Sequence, residues 1–204
     1  MRSTLQQNFG NIDIYLFDQL LKGTYDDCTK VLDAGCGSGR NLVYLLRNGY
    51  EVYAIDPSAK AIDEIKTLAK SIAPAIPQAN FVVAAAEDMP FNDQYFDLVI
   101  SSAVLHFAYS EVHFDSMLHS MWRVLKPGGY LFARLASDIG IESLVLPLGK
   151  GRYLLPDGSE RFLVNEQMLL NYTQLLNAQL HEPIKTTNVQ NMRCMTTWCL
   201  QKHN

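Results

Sequence analysis

The chain has 204 residues, 48% of them hydrophobic and 19% charged, the composition of an ordinary globular domain long enough to fill one core. A formal net charge of −4 argues against a dedicated nucleic-acid binder, which carries a basic face. No apolar run approaches the roughly 20 residues that span a bilayer, and the opening MRSTLQQNFGNID lacks the basic and apolar regions of a secretory signal. A cytoplasmic chain with neither nucleic acid nor membrane as partner, monomeric or homodimeric, is the expectation. Cys28, Cys36, Cys194 and Cys199 form no C-x-x-C pair, and no histidine stands at metal-ligand spacing from them. Free thiols in a reducing compartment, and no metal, are expected.

The elements follow in chain order. Ile12–Leu21 has apolar residues at helical spacing and runs into Lys22-Gly23, the pattern of an amphipathic helix with a glycine stop. Lys30–Ala34 reads as a first strand, and Asp33-Ala34-Gly35-Cys36-Gly37-Ser38-Gly39 as the glycine loop by which that strand feeds a helix over Arg40–Asn48. Glu51–Ile55 is a second strand closed by Asp56, and Pro57-Ser58 opens a helix to about Ile72, ended by Pro74 and Pro77. Asn80–Ala84 and Phe96–Ser101 follow as strands, the latter apolar enough at its centre to be buried on both faces. A helix over Glu111–Leu125 stops at Lys126-Pro127-Gly128-Gly129, before a fifth strand over Tyr130–Leu135.

Strand and helix alternate throughout this stretch, which predicts a doubly wound, mostly parallel α/β sheet with right-handed crossovers. Beyond Ala136 the rhythm changes. Tyr153–Val164 reads as two short strands about Pro156-Asp157-Gly158, Asn165 as the cap of a helix to about Ala178, and Ile184–Val189 and Met195–Leu200 as closing strands. One domain over residues 1–204 is expected. Its parts would be an N-terminal lid or packing helix within 1–29, a cofactor-binding core over 30–136, an insertion over 137–164, and a closing helix and strands over 165–204.

The loop's spacing narrows its ligand. A dinucleotide loop reads G-x-G-x-x-G, its third glycine letting the helix approach a pyrophosphate. Here the glycines are Gly35, Gly37 and Gly39, position 40 is arginine, and Asp33 stands in front. An acid there repels phosphate and suits a cationic ligand group such as an α-ammonium or a sulfonium.

The segment Asp33–Gly39 resembles motif I of the class I S-adenosylmethionine-dependent methyltransferases. Ala54-Ile55-Asp56-Pro57-Ser58, Ala86-Glu87-Asp88-Met89-Pro90-Phe91, Phe96–Ser102 and Arg123-Val124-Leu125-Lys126-Pro127-Gly128-Gly129 agree in order and spacing. Gly39-Arg40-Asn41, Tyr44-Leu45 and Asn48–Val52 are more loosely similar to the small tellurite-resistance type. The resemblance covers residues 30–135 and implies a Rossmann-like seven-stranded sheet in the order 3-2-1-4-5-7-6, the last strand antiparallel, with helices on both faces. It implies that Gly35, Cys36 and Gly37 admit the methionine end of S-adenosylmethionine, with Asp33 near its ammonium and Arg40 near its carboxylate. Asp56 would take the ribose hydroxyls with Pro57 beside it. Ala86, Glu87, Asp88 and Met89 would border the adenine, and Ser101 would lie near the methionine backbone. Many relatives carry an acid where this chain has Ala85, so adenine reading falls to backbone groups and to Glu87 or Asp88.

Methyl transfer from a sulfonium is an in-line displacement with an activated leaving group, so positioning can supply most of the rate. His106, just past the fourth strand, is the candidate for acid–base work or substrate contact, while His113 and His119 read as surface residues. The segment Phe9–Leu20, with the aromatics Tyr15 and Phe17, is a candidate lid over the cofactor or a plain packing helix. Arg134, Lys150, Arg152, Arg161 and Arg193 would suit an anionic or carboxylate-bearing acceptor if several converge. The function expected is methyl transfer to a small molecule. A nicotinamide-dependent oxidoreductase and a non-catalytic cofactor-binding module are the alternatives.

Overall fold

The computed structural model describes residues 4–203; the ends of the expected domain, residues 1–3 and 204, lie outside them. Two short helices, α1 (Leu5–Phe9) and α2 (Ile14–Leu21), precede β1 (Lys30–Ala34), α3 (Val43–Arg47), β2 (Glu51–Asp56), α4 (Ala59–Ile72), β3 (Phe81–Val83), β4 (Phe96–Ser102), α5 (Glu111–Val124) and β5 (Leu125–Ser137). The C-terminal third holds β6 (Leu146–Gly149), β7 (Arg152–Leu154), β8 (Glu160–Phe162), α6 (Glu166–Leu175), β9 (Ala178–Leu180), β10 (Lys185–Val189) and β11 (Arg193–Lys202). The main sheet runs β10-β11-β5-β4-β1-β2-β3, with β9 added alongside β11. The strands from β3 to β5 pair in parallel, whereas β11 is antiparallel to both β5 and β10. This is the expected order with one short strand more.

Alternating side chains of the buried strands feed two cores. Leu32, Ile55, Val99, Leu131 and Trp198 pack with Phe114, Leu118 and Trp122 of α5 and Leu169 of α6. On the other face Val31, Val52, Ala54, Leu98 and Ile100 pack with Leu16 of α2, Leu45 of α3, and Ile62 and Ile65 of α4. Trp198 is fully buried and its indole N–H donates to Thr173 Oγ1 at 3.1 Å, which removes the cost of burying that polar edge.

Several elements depart from the sequence pattern. A capping box between Thr4 and Gln7 builds α1, a unit too short to show apolar periodicity. Residues 40–42 form turns, and α3 begins only at Val43. The helix expected to reach Ala178 ends at Leu175, because Asn177 takes a left-handed φ of 49° and turns the chain into β9. The strand β5 begins at Leu125 and carries Pro127-Gly128-Gly129 through a register shift against β4. In the 137–164 segment the expected hairpin gains a third strand, giving the sheet β6-β7-β8. Its own small core of Ile141, Val145, Leu155 and Leu163 joins Ala136 and Cys194 of the main sheet.

Candidate functional site

Where β1 ends, the backbone N–H groups of Gly35 and Cys36 both donate to the Ile55 carbonyl, at 2.8 and 2.9 Å. The loop is thereby hooked over the end of β2. Gly35 has a φ of 90°, and a Cβ there would sit 2.4 Å from Val104 Cγ2, so only glycine fits. Gly37 also has a positive φ, but open space surrounds the place of its Cβ, as a backbone that meets a ligand requires. Asp56 fastens the loop from the other side. Its Oδ2 accepts from Gly37 N at 3.0 Å and its Oδ1 from Ser58 N at 2.9 Å. The cap of α4 is Ser58, so Asp56 is not held as a helix cap. Each of its oxygens retains a lone pair, enough for two hydroxyl donors.

Beside this loop lies a cavity of about 400 Å³. Of the residues that the resemblance assigns to the cofactor, Gly35, Asp56, Pro57, Ala86 and Glu87 line it, together with Ala85, whereas Asp33, Cys36, Gly37, Arg40 and Ser101 do not. Phe107 and Met117 add an apolar wall from the far side. Asp88 is exposed, Met89 is buried with its carbonyl oxygen accepting from the Arg123 guanidinium, and neither lines the cavity. His113, expected at the surface, is a lining residue: it stacks on Tyr109 with ring centroids 3.9 Å apart and stands 3.2 Å from Glu87. His119 is indeed on the surface, half exposed and next to Asp115.

Two buried polar groups at the strand ends lack partners. Both carboxylate oxygens of Asp33 and the hydroxyl of Ser101 are buried and find no hydrogen bond among the described residues. Burial, and to a lesser degree the charge of Asp56, raise Asp33 to about 7 against the opposing pull of Arg40. An orphaned acid of this kind costs folding free energy unless a cation or donor meets it. Cys36, buried in the loop, has its thiol pushed well up by burial and by the two neighbouring acids, so it is an inert packing residue.

Arg40 turns toward the N-terminal segment. It donates to Ser102 Oγ at 2.9 Å and stands 3.6 Å from Asp13 Oδ2, which also receives Arg134 at 2.8 Å. Asp13 is buried, accepts from Tyr15 N as the cap of α2, and donates its own backbone N–H to Asn41 Oδ1. This junction was hidden in the sequence, where Asp13 falls inside the expected Ile12–Leu21 helix.

Past β4, Ala103 adopts a φ of 65° and lines both the first cavity and a second one of about 350 Å³. Arg134, Arg161 and Arg193 converge on this second cavity with His106. Lys150 and Arg152 do not line it, and Arg152 instead donates to the Ala108 carbonyl. His106 is buried, and its Nδ1 accepts from Ala136 N at 3.2 Å, which places the proton of the neutral ring on Nε2. Burial and then the charge of Arg161 lower its pKa to about 4.

Residues 32–133 match the family described as methyltransferase domain. An uncharacterized methyltransferase of Synechocystis sp. is 41% identical over 100 residues, covering 49% of this chain and 43% of its own. A tRNA U34 carboxymethyltransferase of Hydrogenovibrio crunogenus is 29% identical over 170 residues, covering 81% of this chain and 46% of its own. The chain thus spans less than half the length of these curated relatives. Among solved structures, a 1,6-didemethyltoxoflavin N1-methyltransferase of Burkholderia thailandensis with bound S-adenosylhomocysteine superposes with a TM-score of 0.69 at 18% identity. The match covers 91% of this chain and 76% of the other. The chain belongs to the methyltransferase-domain family, in its class I S-adenosylmethionine-dependent form.

Proposed function

We propose that the chain transfers a methyl group from S-adenosylmethionine to a small-molecule acceptor seated at the C-terminal ends of β4 and β5. The observation that carries this reading is the meeting of two cavities at Ala103, one built from the glycine loop and Asp56, the other from side chains outside the core. The cofactor supplies an activated methyl on a sulfonium. Asp56 offers its two free lone pairs to the ribose hydroxyls, and Gly35 and Gly37 let the backbone come close to the methionine end. Asp33 gives the orphaned buried carboxylate that an ammonium would satisfy. Since Asp88 does not line the cavity, Glu87 is the side chain left to read the adenine beside Ala85. A dinucleotide fits poorly, because Asp33 would lie under a pyrophosphate.

Thermal denaturation with S-adenosylhomocysteine and with NAD separates the cofactor readings. A ligand at 100 times its Kd adds about 2.7 kcal/mol of stability, so S-adenosylhomocysteine is expected to raise the Tm and NAD to leave it unchanged. The opposite result removes the methyltransferase reading. The long match to a tRNA-modifying relative favours a nucleic-acid acceptor as a second reading. Incubation with methyl-labelled cofactor and cell extract decides between them, since label entering only the RNA fraction rejects the small-molecule acceptor.

A further inference from the structure

The charges around the second cavity are unequally satisfied. Arg134 shares Asp13 with Arg40, at 2.8 and 3.6 Å, and its Nε–H stays buried without a partner among the described residues. Arg193 stands 3.9 Å from Asp157 Oδ2. Asp157 Oδ1 is occupied by the N–H and hydroxyl of Ser159, at 2.9 and 2.6 Å. Arg161 donates to the Glu160 carbonyl at 2.7 Å, lies 5.0 Å over the Phe107 ring, and has no carboxylate partner among the described residues. Three guanidinium groups thus face the cavity against Asp157 and a share of Asp13, which leaves it positively charged. The forked donors of arginine match a planar carboxylate.

We propose that the second cavity is the acceptor site for a carboxylate-bearing small molecule, its carboxylate held by Arg161 and Arg193 while its methyl-accepting atom reaches past Ala103. This rests on the methyltransferase reading above and adds the acceptor's chemical class. The cavity's other groups agree with an acceptor that has no proton to lose. His106 has its Nδ1 engaged by Ala136 and a proton affinity too low for a base at neutral pH. Asp157 is held below the usual carboxylate range by Ser159.

The test uses the full chain, methyl-labelled S-adenosylmethionine, and a low-molecular-weight cell extract split on an anion exchanger at pH 7. Acceptor activity is expected in the retained fraction and should survive phosphatase treatment. Arg161→Ala and Arg193→Ala should each raise the half-saturating concentration of that fraction about tenfold to a hundredfold, the effect of losing a charge-assisted hydrogen bond, with the rate at saturation largely kept. Arg161→Lys should recover part of the loss. Binding of S-adenosylhomocysteine should stay within about twofold in every variant. Acceptor activity confined to the unretained or RNA fraction, phosphatase-sensitive activity, or unchanged half-saturation in both alanine variants overturns the proposal. Failure of wild type to bind S-adenosylhomocysteine overturns the underlying cofactor reading and the proposal with it.

Discussion

Asp33 and His106 are both buried titratable groups at strand ends, and burial pushes each toward its neutral form. For Asp33 the consequence is a measurable pH dependence. The folded chain holds the Asp33 proton up to about pH 7, whereas the unfolded chain releases it near the ordinary carboxylate value of 3.8. Between those values the folded state binds more protons, so stability falls as pH rises, by roughly 1.4 kcal/mol per pH unit, and levels off above about 7. Urea midpoints measured from pH 5 to 8 should show this slope in wild type and lose it in Asp33→Asn. An α-ammonium beside Asp33 favours the carboxylate, so S-adenosylhomocysteine should bind more tightly as pH approaches 7 and then plateau; a flat profile in wild type removes the ammonium from Asp33. His106 presents the converse case, a ring too weakly basic to take a proton. Replacing a general base costs on the order of a hundredfold to ten-thousandfold in rate. His106→Asn is expected to cost less than tenfold in kcat, and a larger loss would restore His106 as a base.

The start of helix α2 is tied to the core through the buried Asp13. Asp13 caps it and receives Arg134, with Arg40 and Ser102 close by. Farther along, Tyr15 meets Thr187 and Lys22 pairs with Glu182, fixing the helix to the C-terminal strands. Removing one member of a buried ion pair strands its partner, at a cost of about 3–5 kcal/mol, while loss of a cap alone costs about 1 kcal/mol. Asp13→Ala should therefore destabilise well beyond a lost cap, as read from urea denaturation. Asp13→Asn, which keeps a capping oxygen, isolates the charge. A loss near 1 kcal/mol for the alanine variant would reduce Asp13 to a cap. The sequence made the elements legible where periodicity or capping is local: the strands of the parallel core, α4 behind Ser58 and α6 behind Asn165 all stand close to where their patterns put them. It left α1 and the Asp13 junction unread, because five residues show no period and a partner on a strand more than a hundred residues away leaves no local trace. The same holds within the site. Asp56 and the glycines were readable from spacing, but the left-handed Ala103 that joins the two cavities has no residue-type signature.

At the scale of the whole molecule, the parallel core makes one cavity and the additions to it make the other. The first draws on the loops after β1, β2, β3 and β4. The second takes Arg161, Asp157 and Ser159 from the β6-β7-β8 segment and Arg193 from β11. That segment has its own small core, touching the main sheet through Ala136 and Cys194, and its outer strand β6 is exposed along its length. Few buried contacts mean local opening at low free energy. Amide hydrogen exchange should therefore be fastest in β6 and slowest in β1, β4 and β5, which are buried on both faces. Adding S-adenosylhomocysteine should slow exchange at Gly35, Ala84–Glu87, Ala103, Val104 and Phe107, which line the first cavity, and leave β6, β7 and β8 unchanged. Protection of the three-strand sheet by S-adenosylhomocysteine alone would mean that the cofactor occupies the second cavity as well, leaving no room there for an acceptor. Because β7 and β8 carry the tip that holds Asp157 and Ser159, slowing confined to that sheet should require an acceptor in addition to the cofactor product. The order of the two protections thus reports whether core and insertion divide cofactor from acceptor.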